Sequence, residues 1–192
     1  MTVYIVDDFL SNPNEVREFA LTLEYPLRGP FPGFRTRSPD PEWGDSHQPR
    51  FESILGTRIL QWPKREWSKG AGNTLFHIAS EGWDTSIHTD ESEWAGVLYL
   101  TPNPPPNSGT TIWSNNFTGA WNSNMHYHPV EEMSRKENWS EYQSFENRYN
   151  RLVLYPSHVY HSATKGGFGT NTSTSRLTQV FFFTTSKVIW QE

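Results

Sequence analysis

Hydrophobic positions change texture near residue 72. Before it, Val16, Phe19, Ala20 and Leu23 recur at helical spacing between Asn12-Pro13 and Pro26. That pattern predicts a helix with proline at its first position, and Asn12 with Glu15 has the spacing of a capping box. Phe51, Ile54, Leu55, Ile59 and Trp62 predict a second amphipathic helix over 50–62, stopped by Pro63. A short apolar run at 3–6 predicts a strand. Residues 26–49 hold six of the fourteen prolines, several glycines, and Arg28, Arg35 and Arg37. Such a stretch is too long for a plain connector and is expected to be a functional loop or lid.

After Gly72 the chain reads as short strands at 74–79, 85–89, 94–100 and 110–113, separated by turn clusters such as Ser80-Glu81-Gly82. Residues 114–149 read as an insertion, partly helical after Pro129. Strands resume at 151–155, 160–163 and 176–184, with a Gly/Thr/Ser loop over 165–175. No repeat of fixed period is visible. Two helices ahead of seven or eight short strands predict an all-β sandwich decorated by helices, not a parallel sheet. One domain is expected over 1–192, with helical support over about 1–72 and a β core over about 73–186.

Composition narrows the class. Only 34% of the 192 residues are hydrophobic, yet nine Trp, eight Tyr and twelve Phe give large buried area per position, which excludes global disorder. A net charge of −5 argues against a nucleic-acid partner, which needs surplus Lys and Arg. No apolar run reaches transmembrane length, and the opening MTVYIVDDFL lacks a basic leader, so a cytoplasmic protein without membrane association is expected. The absence of cysteine excludes disulfides, thiolate metal sites and cysteine nucleophiles. The sequons at Asn116, Asn138 and Asn171 then have no expected use.

Two elements carry chemistry. His88-Thr89-Asp90 places an imidazole and a carboxylate two residues apart, on one face of a strand. With one remote histidine they would hold one face of an octahedral metal and leave the other open, as non-haem Fe(II) requires. Alone, the triplet fits equally a surface histidine beside a turn aspartate. The second element is NRLVLYPSHVYHSA, with His158 and His161, followed by SRLTQVFFF, with Arg176 and Thr178 on one strand face. An inward-facing arginine needs an anionic partner, either one of the 21 acidic residues or a bound carboxylate, which a guanidinium holds bidentately.

With these residues the chain resembles Fe(II)- and 2-oxoglutarate-dependent oxygenases of the prolyl-4-hydroxylase-like superfamily. The likeness runs from about 74 to 183, and the opening IVDDFLSNPNEVREFA also resembles that superfamily's lead-in. It implies a mostly β double-stranded β-helix (jelly roll, cupin-like) with supporting N-terminal α-helices. It further implies His88, Asp90 and His161 as iron ligands, with Arg176, Thr178 and Tyr99 on the distal carboxylate of 2-oxoglutarate. The cofactors would be Fe(II), 2-oxoglutarate and O2, and the reaction hydroxylation of a peptide or small molecule. Asp90 fits hydroxylation, since halogenating relatives carry a small residue there. Three departures stand out. The interval from His161 to Arg176 is long, as an insertion at 165–175 would make it. Ile78 stands where many prolyl hydroxylases have tyrosine. His158 competes with His161 as third ligand. His126 and His128 form a His-x-His pair that no carboxylate joins at recognisable spacing. The competing class is a metal-free jelly-roll binding module, such as a carbohydrate-binding or viral structural domain.

Overall fold

The computed structural model describes residues 1–29, 31–37, 40, 44–63 and 72–185. Parts of the 26–49 loop, at 30, 38–39 and 41–43, lie outside the described residues. In chain order the elements are β1 (Tyr4–Val6), α1 (Pro13–Thr22), β2 (Phe34–Arg35), a 3-10 turn (Gly44–His47) and α2 (Gln48–Leu55). Then come β3 (Leu75–Ala79), β4 (Trp94–Tyr99), β5 (Thr110–Asn115), α3 (Val130–Met133), a 3-10 turn (Lys136–Asn138) and β6 (Trp139–Phe145). The chain continues through β7 (Leu152–Pro156), β8 (His161–Ala163) and β9 (Arg176–Phe183).

The strands form a six-stranded sheet in the order β1-β7-β4-β9-β3-β2 and a three-stranded sheet in the order β6-β5-β8. Every named pairing is antiparallel. Two facing antiparallel sheets with helices on the outer side of the larger one make a jelly roll with N-terminal helical support, as the sequence implies. Val16 and Ala20 of α1 and Phe51 of α2 pack on Leu98, Leu154, Leu177 and Phe181 of the large sheet. A second cluster, including Tyr99, Ile112, Phe145, Val153 and Tyr155, fills the space between the sheets. Among the described residues no helix is long and apolar enough to cross a membrane.

Local expectations fail in instructive places. Asn12 makes no side-chain bond to the helix backbone; its amide donates to the Glu15 carboxylate at 3.1 Å, so the capping box is absent. The second helix begins at Gln48 and ends at Leu55, because Gly56 takes φ 65° and turns the chain out of the helix. The predicted strand over 85–89 is reduced to one bridge, His88 to His161. Inside the 114–149 insertion lies β6, whose five central residues are all exposed, so it carries no hydrophobic alternation to read.

Candidate active site

The bridge at His88 decides the geometry of the chemistry. The His88 amide donates to the His161 carbonyl at 3.0 Å, and the His161 amide returns a bond to the His88 carbonyl at 2.9 Å. One turn on, the Asp90 amide donates to the Ser157 carbonyl at 2.9 Å. The His-x-Asp segment is thereby laid along the start of β8, which brings the two histidine rings to a 4.4 Å centroid separation. The glycine-rich 165–175 loop packs on the 79–84 stretch that leads into this segment. A Cβ at Gly166 would stand 1.9 Å from the Trp83 carbonyl oxygen, and one at Gly167 2.0 Å from that of Ser80, so only glycine lets the backbones meet.

Each imidazole is held in one tautomer. Nδ1 of His88 lies 3.0 Å from the Ser86 carbonyl, and Nδ1 of His161 2.9 Å from that of Val159. A carbonyl only accepts, so both Nδ1 atoms carry the proton, which leaves Nε2 as the ligand-side nitrogen of each ring. A donor atom from each of His88, Asp90 and His161 lies within 4.8 Å of the others, and Asp90 Oδ2 is 3.3 Å from His161 Nε2. With the proton on Nδ1 an imidazole can offer Nε2 to a metal, and two such nitrogens with a carboxylate are a donor set that a divalent ion fits. Burial, then the nearby His161, pushes the His88 pKa down to about 4, which keeps that ring neutral at physiological pH. Burial works to raise the Asp90 pKa, but the hydrogen bond and charge of His161, with His88 and Arg35, outweigh it and hold the carboxyl below its usual range.

Of the two competing histidines, His161 joins this cluster. His158 is half-buried on the turn before it, and its carbonyl accepts the Ser123 amide at 3.0 Å. In the His126–His128 pair His126 is exposed but His128 is buried, and Glu132, four residues on, bonds its Nδ1 at 2.6 Å, so a carboxylate does join the pair.

Arg176 opens β9 and is buried, as are Thr178 and Tyr99. Strand register places Tyr99 opposite Thr178, Thr178 opposite His77, and His77 opposite Arg35, a lateral row across β4, β9, β3 and β2. Ile78 pairs with Leu177 on the other face of the sheet; His77 is the β3 residue turned toward the pocket. The Arg176 guanidinium lies 5.6 Å from the Tyr99 ring centroid, and the Tyr99 hydroxyl shares a 2.7 Å bond with Thr110. Arg176 donates a long hydrogen bond, 3.4 Å, to the Ser108 carbonyl and interacts with the Tyr99 hydroxyl, and no carboxylate pairs with it among the described residues. Thr178 Oγ1 is buried without a partner. Burial lowers the Arg176 pKa, with Tyr99 and Tyr155 opposing.

One pocket between the sheets is lined by both sets: His88, Asp90 and His161 on one wall, Arg176 and Thr178 on the other. Two further polar residues line it, His77 and Arg35. His77 was legible as the one polar side chain in Leu75–Ala79; the sequence places Arg35 in the 26–49 loop but carries no signal of its strand pairing, because β2 is two residues long. Burial, then Arg35 and Arg176, pushes the His77 pKa well down, and its Nε2–H donates to the Pro32 carbonyl. Phe31, Pro32 and Thr85 also line an open outer cleft, shared with Trp83, Ser134 and Lys136. The 26–49 loop and the 114–149 insertion therefore both border the mouth.

Comparisons with known proteins follow the same lines. A family model described as "Family of unknown function (DUF6445)" matches residues 75–183. No curated protein matches the chain. Among solved structures, a prolyl hydroxylase from Trichoplax adhaerens, in complex with a hypoxia inducible factor peptide fragment, superposes with TM-score 0.58 at 12% identity, covering 99% of this chain and 87% of that one. HygX from Streptomyces hygroscopicus, with nickel, 2-oxoglutarate and hygromycin B bound, gives 0.55 at 12% identity over 94% and 82%. A Pseudomonas putida prolyl-4-hydroxylase gives 0.50 at 16% identity over 94% and 91%. The fold is that of these oxygenases.

Proposed function

We propose that this chain, which belongs to the DUF6445 family, is a non-haem Fe(II)- and 2-oxoglutarate-dependent oxygenase that hydroxylates a peptide or small molecule. The helical support and the jelly-roll core would act as one oxygenase domain. The observation that carries the reading is one pocket lined by two imidazoles, each with Nδ1 committed to a backbone carbonyl, by a carboxylate, and by a buried arginine that has no carboxylate partner among the described residues. A metal-free binding module gives neither feature a purpose, since an unpaired buried charge is costly.

In this reading His88, Asp90 and His161 hold the metal, and the hydrogen bonds to Ser86 and Val159 fix the rings that present Nε2. Bound iron supplies the redox chemistry that couples decarboxylation of 2-oxoglutarate by O2 to hydroxylation of a substrate C–H bond. Arg176 takes the distal carboxylate of 2-oxoglutarate bidentately, and the unpartnered Thr178 hydroxyl completes its hydrogen bonds. Tyr99, bonded to Thr110, supports the same end. Val180 and Phe182 wall the pocket and exclude water. Among the comparison proteins one holds a peptide fragment and one hygromycin B, so both substrate classes stay within the proposal.

The test is anaerobic addition of Fe(II) and 2-oxoglutarate, watched for the weak visible charge-transfer absorption of the chelate. Wild type and His158→Ala should develop it, and His161→Ala should not. No absorption in wild type overturns the reading, and the reverse pattern moves the ligand role to His158.

A further inference from the structure

Arg35 is the second arginine of the pocket, and the proposed chemistry leaves it unused. It sits on β2, at the edge of the six-stranded sheet, and is buried. Its guanidinium lies 3.8 Å from the Phe31 ring centroid and 5.8 Å from that of Phe182. Aromatic contact of this kind covers the faces of a planar cation and leaves its N–H edge for an in-plane partner. That partner is missing: Nε makes no hydrogen bond, and no carboxylate pairs with Arg35 among the described residues. Asp90 lines the same pocket and is close enough for its charge to act on Arg35. His77 stands between the two arginines with Nε2–H committed to Pro32, and supplies no negative charge.

Charge accounting on the proposed complex sharpens the point. A divalent cation, Asp90, the cosubstrate dianion and Arg176 together come to neutrality. Arg35 then leaves one buried positive charge over, beside Phe31 and Pro32, where the outer cleft opens into the pocket. Uncompensated buried charge calls for an anion. We propose that Arg35 is the receptor for a carboxylate on the substrate, so that the enzyme acts on small carboxylic acids entering between Pro32 and Thr85. The substrate class rests on the oxygenase reading; the anion site itself does not.

The carboxylate has two possible sources, substrate and cosubstrate, and calorimetry separates them. Benzoate and benzamide serve as probes, titrated into the metal-free chain and into anaerobic chain loaded with Mn(II) and 2-oxoglutarate. Benzoate should bind the loaded wild type and benzamide should not. Arg35→Gln should weaken benzoate at least tenfold, leave 2-oxoglutarate affinity within threefold, and leave the melting temperature equal or higher. Benzoate binding unaltered by Arg35→Gln, or a lowered melting temperature with no change in benzoate affinity, overturns the proposal and makes the arginine structural. A tenfold loss of 2-oxoglutarate affinity also overturns it and assigns Arg35 to the cosubstrate. If wild type fails to bind 2-oxoglutarate but the metal-free chain binds benzoate through Arg35, the oxygenase reading falls and the anion site stands.

Discussion

Along β9, Leu177, Phe181 and Phe183 point into the helical layer, while Arg176, Thr178, Val180 and Phe182 point between the sheets. The two faces differ in what their arginines find. On the helical side the buried Arg17 is satisfied, donating to the carbonyls of Leu100 and Ser173 at 2.6 Å each. Gln179 on the same side donates its amide to Asp40 at 2.8 Å, although its Oε1 has no partner. On the pocket side Arg35 Nε and Thr178 Oγ1 have no partner, and Arg176 has a long bond to Ser108 and the Tyr99 side chain but no carboxylate among the described residues. The first face is built to fold and the second to receive. A strand that alternates by geometry serves both at once.

Substitutions on the two faces of β9 should separate them. The largest effect belongs to the helical side. Phe181 is fully buried against Phe9, Phe51 and Trp62, so Phe181→Ala should cost about 3–5 kcal/mol of stability by cavity formation. Denaturant unfolding measures it, and a loss under about 1 kcal/mol would mean the helices do not pack there as described.

Arg176→Ala should do the opposite: little change in stability, and a loss of 2-oxoglutarate affinity on the order of 2–5 kcal/mol, tens- to thousands-fold. Arg176→Lys should recover only part, because a point charge cannot reproduce two-pronged binding. Calorimetric titration into anaerobic Mn(II)-loaded protein reads both, and equal binding by Arg176→Ala would remove the cosubstrate role from this face.

The smallest effect is acid lability, and it too has a different character on each side. His47 packs between Phe9 and Phe181, and burial, then Arg50, lowers its pKa to about 4. Below the ordinary histidine pKa of about 6.5 the unfolded chain takes up a proton that the folded chain refuses. Stability therefore falls as pH drops from there toward about 4 and levels off below. At pH 5.5 the His47 contribution is a loss of about 1.4 kcal/mol. His47→Phe should flatten the unfolding profile between pH 7.5 and 5.5 by about that amount. His77 has its pKa lowered by burial and by Arg35 and Arg176, so anions that neutralise those arginines should ease its share of the acid loss. They should leave that of His47 unaltered; comparing pH profiles with and without Mn(II) and 2-oxoglutarate checks this.

Much of this was legible in the chain. The alternation in SRLTQVFFF set Arg176 and Thr178 apart from Leu177 and Phe181, because within one strand successive side chains take opposite faces whatever surrounds them. The donor types at His88, Asp90 and His161, the helix beginning at Pro13 and most strands were equally local matters. Where local signals were weak or absent, the sequence misled. The stretch at 85–89 looked like a strand, yet the only ladder partner it finds is at His88.

What tertiary structure decided was juxtaposition. His158 and His161 are indistinguishable as residue types; the bridge to His88 turns one into the cluster and leaves the other on a turn. Arg35 was one of three arginines in a proline-rich loop until the β2–β3 register set it beside His77, in the pocket that Arg176 also lines. Side-chain periodicity is fixed by bonds within a few residues, so the sequence by itself determines it. A binding site is a meeting of segments far apart in the chain, and only strand register and packing determine who meets.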